Sequence, residues 1–161
     1  MRIAPHAAIA AAAAPKPAKD APVINEPGDR YAWTNPAAAA ALRSTAELLS
    51  SIEQGIIRNI SNVNMVRGYA ADLGSTMDIF ETATQAISSD AYKENDSFLP
   101  LITTAGGGVT HAQERLVSKE LNSTWPIERG DILASIRRAR AISSNVADQL
   151  DPRSTRPSST L

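Results

Sequence analysis

The sequence predicts an all-α protein: an elongated helical bundle or a coiled-coil-like hairpin, with flexible arms at its N- and C-termini. Two rows of apolar residues repeat every seven positions between residues 42 and 87. A second stretch, from Ile132 to Leu150, repeats in alternating steps of four and three residues. We expect a flexible arm over residues 1–34, a helical domain over residues 35–150 and a disordered tail over residues 151–161.

Composition favours a slender single domain. The chain has 161 residues and is 43% hydrophobic, but much of that fraction is alanine and only 4% of residues are aromatic. The formal net charge of −1 gives no reason to expect nucleic acid or an acidic membrane surface as a partner. The charge is nevertheless uneven, because residues 36–100 sum to −4 and residues 115–161 to +3. We therefore expect two helical segments with complementary surfaces.

Cysteine is absent, which excludes disulfides, thiolate metal sites and a cysteine nucleophile. The N-terminal arm holds five of the ten prolines, and its start "MRIAPHAAIAAAAAP" only loosely imitates a signal peptide. No run reaches the roughly 20 apolar residues of a membrane span. We expect no membrane span and leave three locations open: the cytoplasm, an assembled state, or secretion without a clear signal peptide.

The first helical region is predicted to begin at Pro36 and to extend to about residue 88. Thr34 or Asn35 can cap its free amides, and proline suits the first helical position because its missing N–H would have no partner there. The apolar rows of this region and of the last helix form a predicted interaction seam. Its residues are Leu42, Leu49, Ile52, Ile56, Asn59, Val63, Val66, Leu73, Phe80, Ile136 and Val146.

Whether residues 36–88 form one helix depends on three glycines. The pattern favours one long helix, with a break near Gly55, Gly68 or Gly74 as the alternative, because glycine weakens a helix without forbidding it. Asn59 interrupts the seam. A buried asparagine at such a position can specify register or oligomeric state, so we expect Asn59→Leu to stabilise helix association and loosen its specificity.

The remaining segments are read as a connector, a short helix and a last helix. Residues 89–109 are polar and then glycine-rich, which predicts a connector rather than a phosphate cradle, because "TTAGGGVTHAQ" lacks the P-loop and dinucleotide-binding motifs. Thr110 and Gln113 match a capping box, which predicts a short helix over about 110–122. The last helix is expected over about 126–150.

No catalytic, metal or cofactor site can be identified from the residue pattern. His111 is the one candidate general base, but nothing in the sequence places a nucleophile beside it. Arg137, Arg138 and Arg140 form a possible basic patch without interleaved aromatic residues. Arg138 flanks the seam, so we expect it to pair with carboxylates on a neighbouring helix.

The sequence therefore indicates a non-enzymatic structural or assembly protein that packs through helical seams with itself or a partner subunit, as in a virion, a filament or a secretion-type assembly. The alternative is a monomeric helical adaptor or secreted effector that binds a protein partner. These two hypotheses differ in one structural expectation. The adaptor requires a self-contained bundle in which the long helical region folds back on itself.

Overall fold

A computed structural model of the protein describes residues 33–152, which form six helices and no strand. The all-α bundle predicted from the apolar periodicity is therefore confirmed. The predicted arm and tail lie almost wholly outside the described residues. The helices are α1 (Pro36–Arg58), α2 (Val63–Arg67), α3 (Tyr69–Gln85), α4 (Ser89–Glu94), α5 (Phe98–Leu116) and α6 (Leu121–Leu150).

Helix α1 begins as its sequence predicts. The Asn35 side chain accepts a hydrogen bond of 3.0 Å from the Ala38 amide, and Pro36 occupies the first helical position. Asn35 is itself buried and joins the ends of two other helices: its side-chain amide donates to the Ala86 carbonyl and its backbone N–H to the Leu150 carbonyl. A single capping residue therefore fixes the relative positions of α1, α3 and α6.

Four long helices form an antiparallel up-down-up-down bundle. Helix α1 packs against α3 and α6, and α5 packs against the same two helices from the other side. Asn35 lies near Ala86 and Leu150 at one end, which we call the proximal end. The opposite end, formed by residues 57–69 and 116–127, is called the distal end. Short connections suit this arrangement, because antiparallel neighbours need little chain to join them.

The predicted seam lies inside this bundle. Val63 is partly buried against the core, and Asn59 is half-buried at the end of α1. The other seam side chains are buried by the chain's own helices. A second chain could reach them only if the bundle unfolded. Nine seam residues have at most 4% exposure: Leu42, Leu49, Ile52, Ile56, Val66, Leu73, Phe80, Ile136 and Val146.

The prediction of one continuous helix over residues 36–88 is wrong. Helix α1 ends at Arg58, and the chain turns through residues 59–62 before α2 and α3 return along the bundle. Asn59 is the C-cap of α1, where its side-chain amide donates to the Gly55 carbonyl at 2.9 Å. Asn62 then caps α2 by accepting from the Met65 amide. Asn59 therefore ends a helix instead of specifying the register of a seam, which removes the basis for the Asn59→Leu expectation.

The connector predicted over residues 89–109 is also wrong, because α4 and most of α5 occupy it. The glycine triplet is interior to α5, and close packing explains two of its members. A Cβ at Gly106 would lie 3.3 Å from Met77 Cε, and one at Gly108 would lie 3.2 Å from the Ser135 carbonyl oxygen. The missing side chains let α5 approach α3 and α6 closely, so tertiary packing outweighs the low helix propensity of glycine.

The capping box predicted at Thr110 is absent for the same reason: Thr110 is in the middle of α5, and the predicted short helix over 110–122 does not form as a separate element. The last helix exists as predicted but begins earlier, at Leu121, and it includes Pro126 near its start. The indole N–H of Trp125, in this extra segment, donates to the Ile60 carbonyl at 2.7 Å. The early start of α6 therefore anchors the turn between α1 and α2.

Candidate protein-binding surface

Two arginines of the predicted basic patch hold a buried carboxylate. Glu53 projects from α1 with a side chain only 5% exposed, and it forms ion pairs with Arg137 and with Arg140, the second at 3.0 Å. The charge complementarity expected between the two halves of the sequence is realised at this contact. Arg138 is exposed and forms no ion pair within residues 33–152, so the expectation that it pairs with carboxylates on a neighbouring helix is wrong.

Helices α5 and α6 are joined by two further charged contacts. Arg115 binds Glu128 through two hydrogen bonds of 2.5 and 2.7 Å. The Arg115 hydrogen bonds lower the pKa of Glu128 to about 2, with a contribution from Thr124. His111 Nε2 lies 2.9 Å from Asp131 Oδ2, so the structure does bring a carboxylate to the candidate base. Among the described residues, no serine or threonine hydroxyl hydrogen-bonds to His111.

Arg67 is a structural residue that the sequence did not single out. Its guanidinium donates to the Leu116 carbonyl at 3.2 Å, to the Ser118 carbonyl at 2.8 Å and to the Asn122 side chain at 3.1 Å. These contacts satisfy carbonyls at the C-terminal end of α5, where no intrahelical donor remains. Arg67 thus ties α2 to the turn between α5 and α6. Only the folded-back position of α2 brings it there, so no local sequence signal could have identified it.

A groove of about 310 Å³ runs between α1 and α3 on the outside of the bundle. Its buried floor includes Ile52, and Leu48 lies at its edge. The Tyr69 ring lies against the backbone of Gly55, where a Cβ would come within 2.8 Å of ring atom Cε1 and closer still to the hydroxyl end. The groove lining consists of Leu48, Ser51, Ile52, Arg58, Tyr69, Asp72, Ser75 and Thr76.

Exposed apolar side chains concentrate at the distal end, to which Arg58 and Tyr69 of this groove also belong. Six large apolar side chains are exposed among the described residues, and four of them belong to the distal end. The largest exposed fraction, 83%, is that of Ile127 in α6. Single exposed apolar residues are ordinary, whereas a large contiguous apolar patch is typical of an interaction surface, so the end that holds four of the six is the best candidate for one. The four residues are Ile57, Met65, Val117 and Ile127.

The proximal end carries a second cavity, of about 350 Å³, which Trp33 lines together with residues of α6. The Trp33 ring packs edge-on against Phe98, with 5.8 Å between ring centroids. Trp33 therefore lies against the chain's own bundle. Tyr31, the aromatic residue two positions before Trp33, lies outside the described residues.

Comparisons with protein-family models, curated proteins and solved structures give no match to this chain. Across residues 33–152, the helices include none that is both long and apolar enough to span a membrane. The same residues contain no group of three or more histidine, aspartate or glutamate side chains placed to hold a metal ion. The groove and the distal end are therefore the features on which a function can be argued.

Proposed function

We propose that this protein is a non-enzymatic helical adaptor that binds another protein chain at its distal end. The observation that supports this most strongly is the concentration of Ile57, Met65, Val117 and Ile127 on that end. Apolar surface gains roughly 25 cal/mol for each Å² removed from water. A partner that covers these side chains would recover free energy that the isolated bundle does not.

The buried seam also favours an adaptor over an assembly built by exchanging seams. The side chains that were predicted to meet a second chain already fill the core of this one, so a partner must use the outside of the bundle. Charged residues between α1, α5 and α6 are largely engaged with one another. An adaptor with a fixed core and a separate contact surface fits these facts.

Self-assembly is the second candidate, and the same four apolar residues favour it. Two copies could cover each other's distal ends through an isologous contact, in which the same patch serves both chains. The two candidates differ in what covers the distal end, a second copy or a different protein. They share the expectation that the contact requires the exposed apolar side chains.

The test compares the wild-type chain with a distal variant, Met65→Gln combined with Ile127→Gln. Sedimentation velocity over a wide concentration range detects self-assembly. Proteins captured from an extract of the source cells are purified and their binding to the wild-type chain is measured by calorimetry. We expect one such protein to bind, with at least a tenfold loss of affinity for the distal variant.

The matched control is Leu99→Gln, which removes an exposed apolar side chain from the proximal end. This variant is expected to bind as the wild type does. Equal binding by the distal variant would contradict the proposal. A monomer at every concentration that captures no protein able to rebind after purification would contradict both candidates.

A further inference from the structure

The α1–α3 groove contains two opposite charges that the bundle does not pair. Arg58 and Asp72 both line it, yet within residues 33–152 neither side chain forms an ion pair or a side-chain hydrogen bond. Their positions at helix ends are favourable, since Arg58 is in the last turn of α1 and Asp72 in the first turn of α3. Attraction to a helix dipole uses none of their hydrogen-bonding groups, so the donors of the guanidinium and the acceptors of the carboxylate remain free for a ligand.

Hydroxyl groups add to this unpaired polar lining. The Tyr69 hydroxyl forms no hydrogen bond with the residues that the structure describes, and the same holds for the side chains of Ser51 and Ser75. The buried Ile52 and the rim residue Leu48 supply an apolar surface beside them. The groove therefore offers a cation, an anion, neutral hydroxyls and an apolar floor to one occupant.

The order of these groups along the groove follows from the antiparallel helices. Tyr69 lies beside Gly55, so Arg58 is about 4.5 Å nearer the distal tip than this level, and Asp72 is about 4.5 Å farther from it. The Cα atoms of Arg58 and Asp72 are thus about 9 Å apart along the groove. Leu48 lies farther still from the tip, because it precedes Gly55 by seven residues of helix.

We propose that this groove recognises a short segment of a partner protein that presents an acidic, a basic and an aliphatic residue in this order along it. The acidic residue meets Arg58, the basic residue meets Asp72, and the aliphatic side chain packs on Leu48 and Ile52. On a helix, residues seven apart share one face and are about 10.5 Å apart along the axis, which is the same-face helical spacing nearest to this separation. This inference rests on the proposed function, because it assigns the partner chemistry to a groove whose lining includes Arg58 and Tyr69 of the distal end.

The test uses random dodecapeptides displayed on phage and selected on the full-length wild-type chain. We expect the selected peptides to share the acid, base and aliphatic pattern. Synthetic peptides made from them should bind the wild type and lose about three- to tenfold in affinity for Arg58→Gln and for Asp72→Asn. The matched controls are Arg138→Gln and Glu114→Gln, which neutralise exposed charges outside the groove and should leave affinity unchanged.

Circular dichroism on each variant establishes that the bundle is intact before affinities are compared. Failure to select any peptide would overturn the inference, as would peptides that lack the charge pattern or that bind the groove and control variants equally. None of these results affects the proposed function if the binding of a purified protein to this chain still requires Met65 and Ile127. If the purified protein binds the distal variant as well as the wild type, while peptides with the charge pattern still bind the groove, only the distal-end proposal is contradicted.

Discussion

Helix α1 uses its charged residues differently on its two flanks. Toward α6, Glu53 is buried and held by Arg137 and Arg140, and Arg43 binds Asp148 at 3.1 Å. Toward α3, Arg58 and Asp72 line an open groove and form no ion pair within residues 33–152. Charges of the same kind on one helix therefore differ in whether the bundle itself pairs them. The paired flank links α1 to α6, and the open flank carries the groove proposed to bind a partner.

We expect the greatest loss of stability from substitutions on the paired flank. Replacement of both Arg137 and Arg140 by methionine keeps much of their apolar stems but leaves the Glu53 carboxylate buried without a cation. Removal of the partners of a buried charge is expensive, so we expect a loss of about 3 kcal/mol in the free energy of unfolding. Urea denaturation followed by circular dichroism measures it.

The control for this prediction is Arg138→Met in the same basic patch, which should change stability by less than about 0.5 kcal/mol. An equal loss for Arg138→Met would show that the ion pairs with Glu53 do not distinguish these arginines. The comparison between the two flanks would then lose its basis.

A smaller effect is expected at the open flank, where Gly55→Ala should destabilise the bundle by about 1 to 3 kcal/mol. The added Cβ meets the Tyr69 ring, which must shift. In a Tyr69→Ala background the same substitution should stabilise by up to about 1 kcal/mol, because alanine is the better helix former and the obstacle is gone. A double-mutant cycle of unfolding free energies measures this reversal. An unchanged effect in both backgrounds would show that the ring does not lie against Gly55.

The smallest effect is expected at the glycine triplet of α5, away from both flanks of α1. A Cβ at Gly107 has no atom within 4 Å, so Gly107→Ala should raise the free energy of unfolding by about 0.5 to 1 kcal/mol. The matched substitution Gly108→Ala should gain less, because its Cβ lies 3.2 Å from the Ser135 carbonyl oxygen. Thermal melts of the two variants provide the measurement. A larger gain at Gly108 than at Gly107 would contradict the close approach of α5 to α6.

Much of the architecture could be predicted because it depends on local signals and apolar spacing. The start of α1 follows from Asn35 and Pro36, and the apolar steps from Ile132 to Leu150 lie in α6 as expected. The turn at residues 59–62 could not be read from periodicity. Val66 lies in α2, after the turn, and is buried in the same core as the apolar residues of α1. The seven-residue apolar repeat therefore continues through the point where the chain reverses direction.

The candidate site was less accessible to sequence reasoning, because it forms only after the chain folds back. Arg58 and Asp72 are separated by the turn and by α2, and neither belongs to a motif. In the basic patch, the sequence predicts that Arg138 pairs with a carboxylate, but the ion pairs are formed by Arg137 and Arg140. Arg137 and Arg140 are three residues apart and share the helix face toward α1, whereas Arg138 is turned away by about 100° from Arg137. The angular spacing of the three arginines would have identified Arg137 and Arg140 as the partners if the sequence had shown that Glu53 lies opposite them.

The most direct test of this account is a distance measured between α1 and α3 by pulsed electron paramagnetic resonance. The natural chain has no cysteine, so Ala40→Cys and Gln85→Cys place one spin label on an exposed position of each helix. An excess of unlabelled chain restricts the signal to pairs within one molecule. The folded-back bundle predicts backbone positions about 20 Å apart or less. A distribution centred near 68 Å, the length of 45 residues of continuous helix, would contradict the self-contained bundle and with it the groove.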